Sequence, residues 1–260
     1  MFADAIAYER FMGRWSRLIA PVFLEFAQIK DGDRILDVGS GTGSLALTIA
    51  ASRPSALVVG IDPSAQYVSY AESRKPGANI RFQVGDARSL TFPAAQFDAS
   101  TSLLVLNFVP EVRTAMAELR RVTRPGGTIS AAVWDYGEGM QMLRLFWDAA
   151  VALDPSAERR DEKHMPLCRA GELAELSRNA GLVDVEEKAL DINLRFKSFE
   201  DYWNPFLEGQ GPAGLYVAGL GERPRTLLRD RLKALLLPRL DSDGGFNLRA
   251  RIWAARAKVP

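Results

Sequence analysis

Residues 35–50, ILDVGSGTGSLALTIA, run a short apolar segment into three glycines at alternate positions and then into a second apolar stretch of helical character. Few folds accept this order. Glycine is required where backbone turns sharply or approaches a ligand with no Cβ in the way. A strand, a glycine turn and a helix in sequence place that turn at the carboxyl end of a strand, where open α/β sheets bind their ligands. The loop reads GxGxG, whereas a dinucleotide-phosphate loop reads GxGxxG, and Asp37 precedes it. A carboxylate at the mouth of the loop suits a cationic ligand and repels a pyrophosphate.

The rest of the first half repeats the strand–helix alternation. Strand-like runs are expected at 34–38, 57–61, 80–84, 97–102 and 128–134, with amphipathic stretches such as EVRTAMAELRRV between them. That rhythm implies a doubly wound, mostly parallel α/β sheet with helices on both faces. Two later segments alternate apolar and polar residues: Leu190, Ile192, Leu194 and Phe196, then Phe246, Leu248, Ala250, Ile252 and Ala254. They read as edge strands that bring the sheet to seven. The stretch 199–240 between them is too long for a turn and reads as a helical cap inserted before the last strand, 246–258. Its EGQGPAG piece is expected to hinge, and RTLLRDRLKALLL to form a helix whose apolar face packs back on the domain. Residues 1–30 read as N-terminal helices and 34–134 as the ligand-binding core of one domain spanning 1–260.

Acids recur at successive strand ends. Asp62 closes ALVVGID, 19 residues after Gly43, and Asp86 closes RFQVGDA, 24 residues further on. A carboxylate in the first place accepts both hydroxyls of a ribose, and one in the second accepts from an exocyclic amine. Each acid alone also reads as a helix N-cap, but three acids beside one glycine loop point to a ligand. Ser102 and Leu103, closing FDASTSL, would lie beneath it.

The stretches LDVGSGTG, GIDPSAQYV, VGDARSL, FDASTSLLVLNF and RRVTRPGG, in that order, resemble the class I S-adenosylmethionine-dependent methyltransferases, in particular the small-molecule branch similar to ubiquinone/menaquinone-biosynthesis methyltransferases. The resemblance implies methyl transfer from S-adenosylmethionine, with S-adenosylhomocysteine as product. It further implies that Gly39, Ser40 and Gly41 lie against the methionine moiety and Asp37 reaches its ammonium. Asp62 would hold the ribose, Pro63 and Tyr67 the adenine ring, Asp86 its amino group and Ala87 its ring nitrogen. The RPGG glycines would form the turn before the fifth strand. Many relatives have His where Asn107 stands, so a histidine base at that position is excluded.

Displacement at a sulfonium needs alignment and exclusion of water more than a base. Tyr8, Met12, Trp134, Tyr136, His164, Tyr202, Trp203 and Phe206 are candidates for acceptor contact, and Arg14 for the cofactor carboxylate. The aromatics read equally as core, Arg14 as a surface arginine and His164 as a solvated loop residue. Trp203 and its neighbours are expected to roof the methyl group.

Composition narrows the partners. Net charge is +1, which disfavours nucleic acid. So does SLLVLNF, which lacks the Asn- or Asp-Pro-Pro-aromatic run common in nucleic-acid amine methylases. From Leu220 onward ten Lys/Arg face four acids, a surplus that reads as a solvated helix and strand face or as attraction for an anion. Cys168 is the only cysteine, so no intrachain disulfide forms and a cytoplasmic setting is expected. The first eighteen residues read as neither signal peptide nor membrane span. No cluster has metal-ligand spacing, and a small-molecule acceptor remains the expected partner. Oligomeric state and acceptor atom are not legible. A cofactor-binding sensor or assembly protein without turnover, and a nicotinamide-dependent oxidoreductase, are the competing readings.

Overall fold

The computed structural model describes residues 4–260; of the stretch 1–30 assigned to N-terminal helices, residues 1–3 lie outside the described residues. The sheet has seven strands in the order β3-β2-β1-β4-β5-β7-β6. They are β1 (Arg34–Val38), β2 (Leu57–Asp62), β3 (Ile80–Val84), β4 (Phe97–Leu103), β5 (Thr123–Trp134), β6 (Val183–Phe196) and β7 (Phe246–Lys258). The first five pair in parallel, and β7 pairs antiparallel with both β5 and β6. The chain order reverses between β1 and β4, where Asp37 stands beside Thr101. That reversal opens a crevice at the carboxyl ends of the strands.

Helices cover both faces. On the amino side, α1 (Ala5–Tyr8) runs through a π-helical turn (Glu9–Gly13) into α2 (Arg14–Ala27). Asp4 caps the start by accepting from the N–H groups of Ile6 and Ala7 at 2.8 and 3.1 Å. Between strands lie α3 (Ser44–Ser52), α4 (Ala65–Ser73) and α5 (Val112–Val122), followed after β5 by α6 (Gln141–Leu153) and α7 (Glu172–Asn179). Helix α5 buries Ala115, Met116, Leu119 and Val122 at helical spacing and turns its arginines outward, which is why that sequence is helical. Among the described residues, no helix is long and apolar enough to cross a membrane.

Several boundaries differ from expectation. Strand β7 is not an edge: it lies between β5 and β6, and its alternation arises because one face packs on the core while the other carries Asn247, Arg249 and Arg251. RPGG lies inside β5, where a register irregularity opposite Phe97 and Ala99 absorbs it. The insertion holds α8 (Phe199–Trp203), α9 (Gly211–Ala218) and α10 (Glu222–Leu236). EGQGPAG is no open hinge. It leads into α9 with Gly211, Ala213 and Gly214 buried, and a Cβ on Gly214 would meet the Gly209 backbone at 2.9 Å.

Candidate active site

One cavity of about 370 Å³ opens at the carboxyl ends of β1, β2, β4 and β5, within the range of small-molecule sites. Its floor is the glycine loop. Gly39 has φ +73°, and a Cβ there would stand 2.4 Å from Val105, so no other residue fits this turn. Gly41 donates its N–H to Asp62 at 3.0 Å, and Asp62 also accepts from Ser64 at 2.9 Å. Asp62 thus locks the loop to β2 while lining the cavity. Leu104, at the cavity wall after β4, holds a left-handed φ of +66° and donates to the Ala132 carbonyl at 2.7 Å. A non-glycine residue held in that region marks a site where surrounding structure dictates the backbone.

Asp37 lies beneath the loop, 1% exposed. Its Oδ1 accepts from Thr101 at 3.1 Å, while Oδ2 is buried with no partner. Burial, helped by the charge of Asp62 nearby and partly opposed by the bond from Thr101, pushes this carboxyl up to about 7. Burial raises Asp62 as well. Ser40, Ser44 and Tyr67 also line the cavity, and each has a buried side-chain oxygen without a partner. Four such atoms on one cavity are more than a settled interior carries by accident. The Tyr67 ring lies 5.4 Å from that of Tyr8.

Of the twelve expected cofactor residues, ten line the cavity: Asp37, Gly39, Ser40, Gly41, Asp62, Pro63, Tyr67, Asp86, Ala87 and Leu103. Ser102 is fully buried and does not reach it. Arg14 points elsewhere, donating to the Asp201 carboxylate at 2.7 Å and its carbonyl at 3.0 Å, with its guanidinium 4.1 Å over Trp15. Asp86 arrives paired with Arg88 at 2.7 Å, which holds its carboxyl down to about 2. Arg88 itself went unread, although its place two residues after the acid suits an Asx-type turn closed by its own N–H.

Among the acceptor candidates, Tyr8, Met12, Trp134 and Tyr136 line the cavity. The insertion aromatics do not. Tyr202 is fully buried and donates to the Met142 carbonyl at 3.0 Å, Phe206 stacks on Phe146 at 4.6 Å, and Trp203 packs beside Phe206. These rings cement the insertion to α6, so the expected aromatic roof is corrected: the wall is instead Tyr8, Met12 and Ser16 from the N-terminal helix. His164 is exposed, 3.1 Å from Glu158, and lies outside the cavity. Cys168 is buried and its thiol is pushed up to about 12, which removes it as a nucleophile at neutral pH. Among the described residues, no group of three or more His, Cys, Asp or Glu is placed to hold a metal.

Behind Tyr136 stands a buried polar cluster that sequence reasoning missed. Arg144 donates to the Tyr136 carbonyl at 3.1 Å and to both oxygens of Asp161 at 2.9 and 2.7 Å. Glu162 accepts from Trp147 Nε1 at 2.6 Å, and burial pushes its carboxyl up to about 7.

The family model described as a methyltransferase domain matches residues 36–131. An uncharacterized protein of Mycobacterium tuberculosis is 27% identical over 209 residues, covering 78% of this chain and 73% of its own. The demethylmenaquinone methyltransferase of Thermus thermophilus is 36% identical over 118 residues, 45% of this chain and 52% of that protein, so the likeness spans about half of each. In fold, the chain matches phosphoethanolamine N-methyltransferase 2 of Haemonchus contortus in complex with S-adenosyl-L-methionine, with a TM-score of 0.61 at 18% identity over 98% of this chain and 56% of that one. Residues 36–131 carry a methyltransferase domain of the class I S-adenosylmethionine-dependent type, similar over that part of the chain to a demethylmenaquinone methyltransferase.

Proposed function

We propose that residues 1–260 act as one methyltransferase unit that methylates a small, uncharged and largely apolar acceptor held in the same cavity as the cofactor. The observation that carries the reading is the set of buried, unpartnered atoms on residues that line that cavity: Asp37 Oδ2, Ser40 Oγ, Ser44 Oγ and Tyr67 Oη. A polar ligand with a cationic end supplies the partners they lack.

In this reading Asp37 meets the ammonium of the methionine moiety, with Gly39, Ser40 and Gly41 against its backbone. Asp62 accepts from the ribose hydroxyls, Pro63, Tyr67 and Leu103 flank the adenine, and Asp86 with Ala87 binds its polar edge. When bound, the cofactor supplies an electrophilic methyl group on a good leaving group. The protein's own task is placement and exclusion of water. Apart from Arg88, which is paired with Asp86 and Glu111, the remaining lining, including Tyr8, Met12, Phe108, Val109, Trp134 and Tyr136, carries no formal charge. A charged acceptor would lose its hydration there without compensation. Tyr8 and Tyr136 bring hydroxyls, and burial raises both above the ordinary phenol range, so they stay protonated and donate.

Titration calorimetry with S-adenosylhomocysteine tests the cofactor half. Binding is expected, and Asp62→Ala is expected to weaken it by roughly 2–4 kcal/mol, the loss of a charged acceptor of two hydrogen bonds. A folded Asp62→Ala protein with wild-type affinity would refute the assignment. A screen of neutral against charged small acceptors tests the other half.

A further inference from the structure

Helix α10 buries Leu228, Leu232 and Leu236 against the domain, which accounts for its apolar face. It does not account for the leucines left outside. Leu227, Leu235 and Leu237 are 51%, 42% and 63% exposed. Arg223, Leu227, Arg231, Leu235 and Arg239 follow one another every four residues, all exposed, with Arg239 on the turn after α10. Positions four apart form one ridge that winds slowly round the helix, so cations and leucines alternate along it. Arg229 pairs with Glu200 at 3.6 Å and Asp230 at 3.4 Å. No carboxylate of the described residues pairs with Arg223, Arg231 or Arg239. Between 222 and 240 six cations stand against Glu222 and Asp230, a surplus of four in a chain whose net charge is +1. The apolar surface continues sideways from Leu227 into a groove lined by Leu153, Tyr216, Leu220 and Pro224.

We propose that the α10 ridge docks the protein on the surface of an anionic lipid bilayer, its arginines on headgroup phosphates and its leucines in the upper acyl region. The chemistry selects this occupant. Arginine stems lie along apolar surface while their heads stay at the polar level, and leucines one turn away reach the hydrocarbon boundary. A nucleic-acid backbone would take the arginines and leave the leucines in water. A second copy related by a two-fold axis would set this cationic ridge against itself. An anionic headgroup layer answers both residue types at once. The inference goes beyond methyl transfer and does not rest on the acceptor or cofactor assignment.

Flotation of the full chain with vesicles of phosphatidylcholine alone, and of phosphatidylcholine mixed with phosphatidylglycerol, tests it at low ionic strength. The chain is expected to float with the mixed vesicles and not with phosphatidylcholine alone. Leu227→Gln with Leu235→Gln is expected to lower partitioning by about tenfold or more. Arg223→Gln with Arg231→Gln and Arg239→Gln is expected to do likewise and to abolish most of the salt dependence. Unchanged binding of S-adenosylhomocysteine by both variants verifies their fold. Equal flotation with both vesicle types, no flotation with the anionic ones, or wild-type partitioning of either variant overturns the proposal. So does self-association in lipid-free solution that the leucine variant abolishes, since the ridge is then a protein interface.

Discussion

Asp37 offers a test in which geometry fixes both sign and size. In the ligand-free protein its carboxyl is 1% exposed and pushed up to about 7, from an ordinary value of 3.8. That displacement corresponds to roughly 4 kcal/mol of preference for the neutral form, at about 1.4 kcal/mol per pH unit. A ligand that sets an ammonium beside Oδ2 binds the ionised form. About nine-tenths of the protein is competent at pH 8 and about one-tenth at pH 6, so affinity for S-adenosylhomocysteine should fall about tenfold between them. Near pH 7 binding should expel about half a proton, read by calorimetry in buffers of different ionisation enthalpy. Asp37→Asn should flatten the profile and abolish the proton release. The folded value lies above the unfolded one, so the native state favours the protonated acid. The stability this gives the ligand-free protein is full below about pH 4 and is lost as pH rises through about 7. Asp37→Asn should therefore melt above the wild type at pH 8 and match it near pH 4. A flat wild-type affinity profile, or the same slope in the variant, would refute the placement of the ammonium.

Two other substitutions separate neighbouring roles. Thr42 Oγ1 donates to Glu9 at 2.5 Å, tying the glycine loop to the N-terminal helix. Thr42→Val should speed dissociation of S-adenosylhomocysteine by about three- to tenfold in stopped-flow measurements, the worth of one ordinary hydrogen bond; an unchanged off-rate would count against that tie. Trp203→Ala should cost roughly 3–5 kcal/mol of stability while leaving cofactor affinity within about threefold, because Trp203 is buried among rings away from the cavity. A variant that melts like the wild type would contradict the packing role.

The sheet was legible where burial on both faces makes runs such as LVVGI apolar throughout. It was less so where exposure mixes the signal. The first half of β6, VDVEEKA, alternates nothing because it lies at an open edge with most of its side chains wet. The glycine loop and its acids were legible because few other arrangements need those residues there. Tyr202, Trp203 and Phe206 misled because hydrophobicity says that a ring is buried, not against what. Here the partners are Phe146 and Met142 of α6. Arg144 and Asp161 were unreadable for a related reason: only the fold brings residues 17 apart into a buried pair.

The N-terminal helix carried a signal that spacing could have shown. Tyr8, Met12 and Ser16 recur every four residues and share the face that lines the cavity, whereas Arg14 lies two residues off that register and faces the insertion. The residues between them clamp this helix from two sides. Glu9 meets Thr42 of the glycine loop together with Arg17 and Arg74, and Gly13 is small because a Cβ there would meet the Glu9 carboxyl at 2.6 Å. On the other side Arg10 pairs with Glu208 and Arg14 with Asp201. The Arg10 pair is exposed and worth little. The Arg14 pair is half-buried, doubled by a bond to the Asp201 carbonyl and backed by Trp15 and Phe196, so it holds. No insertion residue lines the cavity, yet the helix that does is fastened to the insertion through Arg14. The insertion therefore acts on the cavity at one remove, through the position of Tyr8, Met12 and Ser16.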